Sequence, residues 1–106
     1  MSGSGGGGGG GFAPPDNCEA IVIDTQLSSP KPAVLAGIHV HDKLDVTVQA
    51  GSGVESVVVL FNGEVAGGLA SPEVRSLREC ILRGTKYYAE VTDKNEGQVK
   101  VRVRAK

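Results

Sequence analysis

The dipeptide Asn62-Gly63 does more than any other feature to limit what this chain can become. It supplies the two positive-φ positions of a type I′ hairpin turn. It follows five apolar residues, Val57-Val58-Val59-Leu60-Phe61, and precedes Glu64-Val65-Ala66. A hairpin is therefore predicted, with Val54 to Phe61 as its first strand. Apolar side chains on both faces of that strand fit a central position, or a barrel wall covered on its outside. Gly67-Gly68 then suggests a bulge or tight bend of the sort barrel corners need.

Other strand signals surround this hairpin. Gln98 to Arg104 alternates, with Val99, Val101 and Val103 on one face and Lys100, Arg102 and Arg104 on the other. Leu44, Val46 and Val48 alternate with Asp45, Thr47 and Gln49. Glu19 to Thr25 reads as a buried first strand and Lys86 to Thr92 as another, with Asp93 to Gly97 as its turn. Two prolines in three positions, Pro30 and Pro32, make Ser28 to Pro32 a loop. Val34 to Val40 is expected to be extended and His41 to Lys43 a turn.

One helix is expected, Ser71 to Arg83. Ser71 is its candidate N-cap, and Pro72 suits the first helical position. Val74, Leu77 and Ile81 form an apolar stripe, and Gly84 closes the helix. Residues 1–16 begin with a glycine run that has no side chains to bury, so a disordered tail is expected there. Residues 17–106 then form a single domain. Its only aromatics are Phe61, Tyr87 and Tyr88, so Val, Ile and Leu must build the core. Strands, one helix and a final hairpin point to a mainly β fold, an OB-like barrel of five to six strands with one α-helix. An α+β roll of the ubiquitin-like kind is the main competitor.

Catalytic and metal chemistry find little footing. Cys18 and Cys80 form no Cys-x-x-Cys pair, and with no leader-like N-terminus the expectation is a cytoplasmic protein with free thiols. A bridge between them would need Cα atoms within about 7 Å. Late in a helix, Cys80 reads as a buried structural residue. His39-x-His41 with Asp42 is the only arrangement resembling a metal site, and it lacks further convergent ligands. No Gly-x-Ser-x-Gly elbow or phosphate loop is present. The expectation is a non-enzyme with no metal and no cofactor. No apolar run approaches the length of a membrane span.

Charge is more informative. The net charge is −1, yet residues 1–70 carry two Lys/Arg against seven Asp/Glu, and residues 71–106 carry nine against five. That asymmetry suggests an anionic partner. Lys100, Arg102 and Arg104 form one outward row, with Arg75 and Arg78 on the helix. Tyr87 and Tyr88 are adjacent, so one of them points outward and can stack on a base. Arg75, Arg78, Tyr87, Tyr88, Lys100, Arg102 and Arg104 are the candidate nucleic-acid-binding residues. A solvated face is the plainer reading, because outward Lys and Arg also protect an edge strand and Glu79 can pair with Arg75 and Arg83.

From Val57 to Val91 the chain resembles the second half of a HIRAN domain. The resemblance rests on the valine-rich strand, the hairpin through Gly67-Gly68-Leu69, the helix with Leu77 and Ile81, and Gly84-Thr85-Lys86-Tyr87-Tyr88. It implies an OB-like barrel that reads single-stranded DNA ends. The family's Asn-Pro-x-Asp-x-Asn-Ala segment is replaced here by Gly51 to Ser56, so no site residues carry over. Two functions are therefore expected as alternatives. One is a binding module for single-stranded nucleic acid. The other is a protein-interaction or assembly domain, including a homodimer, that uses a sheet edge or the Val54–Phe61 face.

Overall fold

The strand signals resolve into six antiparallel strands in a computed structural model that describes residues 15–51 and 54–106. The glycine-rich segment expected as a tail lies outside the described residues as far as position 14, as do Ser52 and Gly53 of the turn before Val54. A 3-10 turn, Pro15–Ala20, precedes β1 (Val22–Gln26), α1 (Pro32–Leu35), β2 (Lys43–Gly51), β3 (Val54–Phe61) and β4 (Glu64–Gly68). Then come α2 (Val74–Leu82), β5 (Tyr87–Asn95) and β6 (Gln98–Ala105). The sheet order is β1-β6-β5-β2-β3-β4, curled into a half-barrel. The chain is thus mainly β, as expected.

The hairpin is the one the sequence announces. Asn62 and Gly63 have φ of 53° and 84°, and Phe61 pairs with Glu64. β6 alternates as predicted, with Val99, Val101 and Val103 at most 1% exposed and the three cations between them exposed. Leu44, Val46, Val57, Val59, Tyr87, Ala89 and Val91 join those valines in one core on the inner face, closed by Leu35, Ile38, Leu77 and Cys80. Fully burying one such side chain contributes about 1.5–3 kcal/mol.

Several local expectations change. The first strand starts at Val22, because Pro15–Ala20 coils into the 3-10 turn. Pro32 starts α1 where a loop and then an extended segment were expected, since a proline needs no N–H in a first helical turn. Leu35 and Ile38, three apart, bury together, and the Lys94 ammonium donates to their carbonyls at 2.7 and 2.8 Å. α2 begins at Val74, not Ser71. Glu73 occupies the N-cap position without a side-chain cap, and the buried Ser71 hydroxyl has no hydrogen-bond partner among the described residues. Gly84, at φ +109°, ends α2 as expected. Its N–H donates to the Ile81 carbonyl and that of Thr85 to Cys80, a Schellman closure. β5 runs to Asn95 because a bulge at Thr92 lets the pairing continue, which leaves Glu96-Gly97 as the turn.

The largest correction concerns the cysteines. Cys18 and Cys80 are joined by a disulfide with Cα atoms 5.6 Å apart, bridging 62 positions of sequence. Both are buried, so the structural reading of Cys80 holds while the free-thiol reading does not.

A pattern absent from the sequence reading organises the whole. Leu27-Ser28-Ser29-Pro30 matches Leu69-Ala70-Ser71-Pro72, and Leu35 matches Leu77. The same step of 42 residues takes the start of α1 at Pro32 to that of α2 at Val74. It also takes the bond Leu69 N–H to Val57 O, at 3.0 Å, to Leu27 N–H to Val99 O, at 2.9 Å, with the two halves of the chain exchanged. The register pairs Val58–Gly68 and Gln26–Lys100 are related in the same way. The domain is two strand-helix-strand-strand units about a pseudo-twofold axis, each giving its first strand to the other's last. Beyond β1, Ser28 exchanges two 2.9 Å backbone bonds with Gly68, drawing the outer strands together. Gly67 and Gly68 serve this approach: a Cβ on Gly67 would stand 3.1 Å from both Leu27 Cβ and the Ser28 carbonyl.

Candidate nucleic-acid interface

The inner face of the sheet holds the core and α2, so a ligand is sought on the outer face and at the end of the sheet. Strand alternation decides which tyrosine reaches it. Tyr87 points inward and is 1% exposed; its hydroxyl donates to the Cys18 carbonyl at 2.5 Å. Burial, reinforced by Glu19, raises its pKa above the ordinary 10. Tyr87 is thereby removed as a stacking platform, and Tyr88 is the outward member of the pair.

Around Tyr88 the register brings together residues far apart in sequence. Arg104 on β6 is its cross-strand partner on one side, with Val22 beyond, and Asp45 on β2 is its partner on the other. The Lys43 ammonium sits 5.4 Å from the ring centroid, within cation–π range. Lys106 donates its backbone N–H to the Lys86 carbonyl at 2.9 Å and reaches Asp45 with its ammonium at 3.2 Å. Lys86, Lys106, Asp45, Thr47 and Thr85, together with Val46, Ile81, Gly84 and Tyr87, line an open recess of about 370 Å³ at the end of the sheet. Lys43 and Arg104 therefore flank the outward ring, and Lys86 and Lys106 lie in the recess beyond Asp45, with Asp45 and Glu90 as the acids among them.

The charge changes along the sheet. In the next row, Arg102 is bonded to Asp24 at 2.7 Å and lies opposite Glu90, which also faces Lys43 and has His41 within 3.6 Å. The bond to Asp24 holds the guanidinium still more firmly protonated than usual. Lys100 follows, opposite Gln26 and Asp93. Of the predicted row, Arg104 thus belongs to a cationic cluster, and Arg102 and Lys100 to a mixed one.

The sheet separates Arg75 and Arg78 from this surface, because α2 packs Leu77 and Cys80 against the inner face. The expected pairing of Glu79 with Arg75 and Arg83 is not made: among the described residues no ion pair involves α2. Lys43 and Lys106 were missed, since Lys43 meets Tyr88, and Lys106 meets Asp45 beside it, only through strand pairing.

The histidines do not share a strand face. They lie in the turn before β2, where His41 has φ +80°, and His39 faces Asp42 while His41 faces Glu90. Among the described residues no three His, Cys, Asp or Glu side chains gather to hold a metal, and no helix is long and apolar enough to cross a membrane. No family model, curated protein or solved structure matches the chain.

Proposed function

We propose that this domain is a non-catalytic binding module for single-stranded nucleic acid, with Tyr88 as the stacking platform and Lys43, Lys86, Arg104 and Lys106 as its phosphate contacts. The observation that carries this reading is the outward Tyr88 ring with Lys43 over it and Arg104 as its cross-strand partner, near the recess of Lys86 and Lys106. An aromatic face takes any base, and surrounding cations release counterions from the backbone, which makes a sequence-tolerant site. The non-catalytic part is supported by the disulfide, which occupies both thiols, and by two histidines set against separate carboxylates. The strand, hairpin and helix that carry the HIRAN resemblance support the same reading.

The assembly alternative has less behind it. Val57 and Val59 lie in the core and Val58 is 6% exposed, so this stretch of β3 offers no bare apolar face. The test is an amide-shift NMR titration with a single-stranded oligonucleotide at low and moderate salt. Shifts centred on Tyr88 and Arg104, weakened by salt, are expected. Because stacking contributes about 1–3 kcal/mol per base, Tyr88→Ala should weaken binding roughly tenfold. A spectrum unmoved at low salt would overturn the proposal.

A further inference from the structure

We infer that the site takes a short footprint, one stacked base with its two flanking phosphates, instead of tracking an extended strand. The inference rests on the nucleic-acid reading of the same surface and specifies its substrate.

Three observations set the limits. Tyr88 is the single outward tyrosine of the sheet, since Tyr87 is buried and the remaining aromatic of the domain, Phe61, packs against the core. Towards Lys100 the outer face fills with carboxylates: Asp24 on Arg102, Glu90 opposite it, and Asp93 opposite Lys100. A polyanion running that way meets rows in which each cation is matched by a carboxylate: Arg102 and Lys43 by Asp24 and Glu90, and Lys100 by Asp93. In the other direction, across β2, the basic row has no counterpart. The pseudo-twofold step of 42 residues takes Lys100 to Val58 and Arg102 to Leu60, so the matching positions of β3 carry no charge, and Val58 is covered.

What remains between these borders is the Tyr88 ring, Arg104 and Lys43 beside it, and the recess holding Lys86 and Lys106. One phosphate fits near Arg104 and Lys43, and the other near the recess. Asp45 faces that second phosphate and holds Lys106 at 3.2 Å. It therefore opposes the anion and restrains a cation that would otherwise meet it.

The experiment compares oligothymidylates of three and twelve nucleotides on the intact protein, by fluorescence anisotropy at several salt concentrations. Two phosphate contacts on a single strand give a log–log salt slope of about −1.4, the same for both lengths. The longer oligomer should gain only about tenfold, from the number of registers it offers a short site. Arg104→Gln should lose about tenfold, Lys100→Gln should stay within about twofold, and Asp45→Asn should tighten binding a few-fold. A slope that steepens with length, or a loss with Lys100→Gln equal to that of Arg104→Gln, would overturn the short footprint and leave nucleic-acid binding standing. Failure of both oligomers to bind at low salt would overturn both readings.

Discussion

Opening the Cys18–Cys80 disulfide should remove a large part of this domain's stability. The bond closes a loop across 62 positions, and the chain-entropy relation for that length gives about 14 cal/mol/K, or about 4 kcal/mol at 25 °C. A domain of this size holds about 5–13 kcal/mol in all, so a third or more of it depends on one bond. The assay is urea unfolding followed by circular dichroism, with and without reductant. The Cys18→Ala, Cys80→Ala double variant should unfold at the same low midpoint under both conditions. In thermal scans a loss of this size corresponds to a fall of roughly 15–30 °C. Two results would refute the reasoning: oxidised and reduced protein unfolding within about 1 kcal/mol of each other, or native protein yielding two titratable thiols before any reductant is added.

Two further predictions follow from the packing. Tyr87→Phe should cost about 1 kcal/mol by removing the hydroxyl's bond to the Cys18 carbonyl, measured by the same unfolding curves. The raised pKa of Tyr87 adds a pH signature: the unfolded phenol ionises first, so stability is full below pH 10 and falls as pH rises above it, a limb that Tyr87→Phe should flatten. Gly67→Ala sets a Cβ 3.1 Å from the Leu27 side chain and the Ser28 carbonyl, and should cost about 1–3 kcal/mol through overpacking. Wild-type stability in that variant would mean that the approach of Ser28 to β4 is loose.

Much of this architecture could be read directly from local chemistry. Asn62-Gly63 dictates its turn by backbone conformation, and β6 dictates its faces by alternation, so neither needs knowledge of distant residues. The disulfide does, because 62 intervening residues say nothing of where two Cα atoms meet. Helix α1 is masked by its own first residue, since Pro32 breaks a ladder and starts a helix with equal ease. Ser71 has the residue type of a cap, but its hydroxyl is buried without a partner among the described residues. The Tyr88 cluster was half legible. Arg104 and Tyr88 stood out as an outward cation and a candidate platform, whereas Lys43 and Lys106 arrive through a register that no single segment encodes. The repeat is faint in the sequence because few side chains are shared between its copies. Backbone bonds at a constant step reveal what substitution has erased from the sequence.

The exchange of first strands between the two units also governs the order of folding. β1 finds its neighbour only in β6, at the far end of the domain, whereas β2, β3 and β4 can pair as soon as they are made. During synthesis Val22–Gln26 therefore waits, with Ile23 uncovered, until Gln98–Ala105 has been added. Such late, long-range closure makes for slow folding and an interval open to misassociation. The same closure also brings the Val22 edge alongside Arg104, so this border of the Tyr88 surface is completed only at the last step.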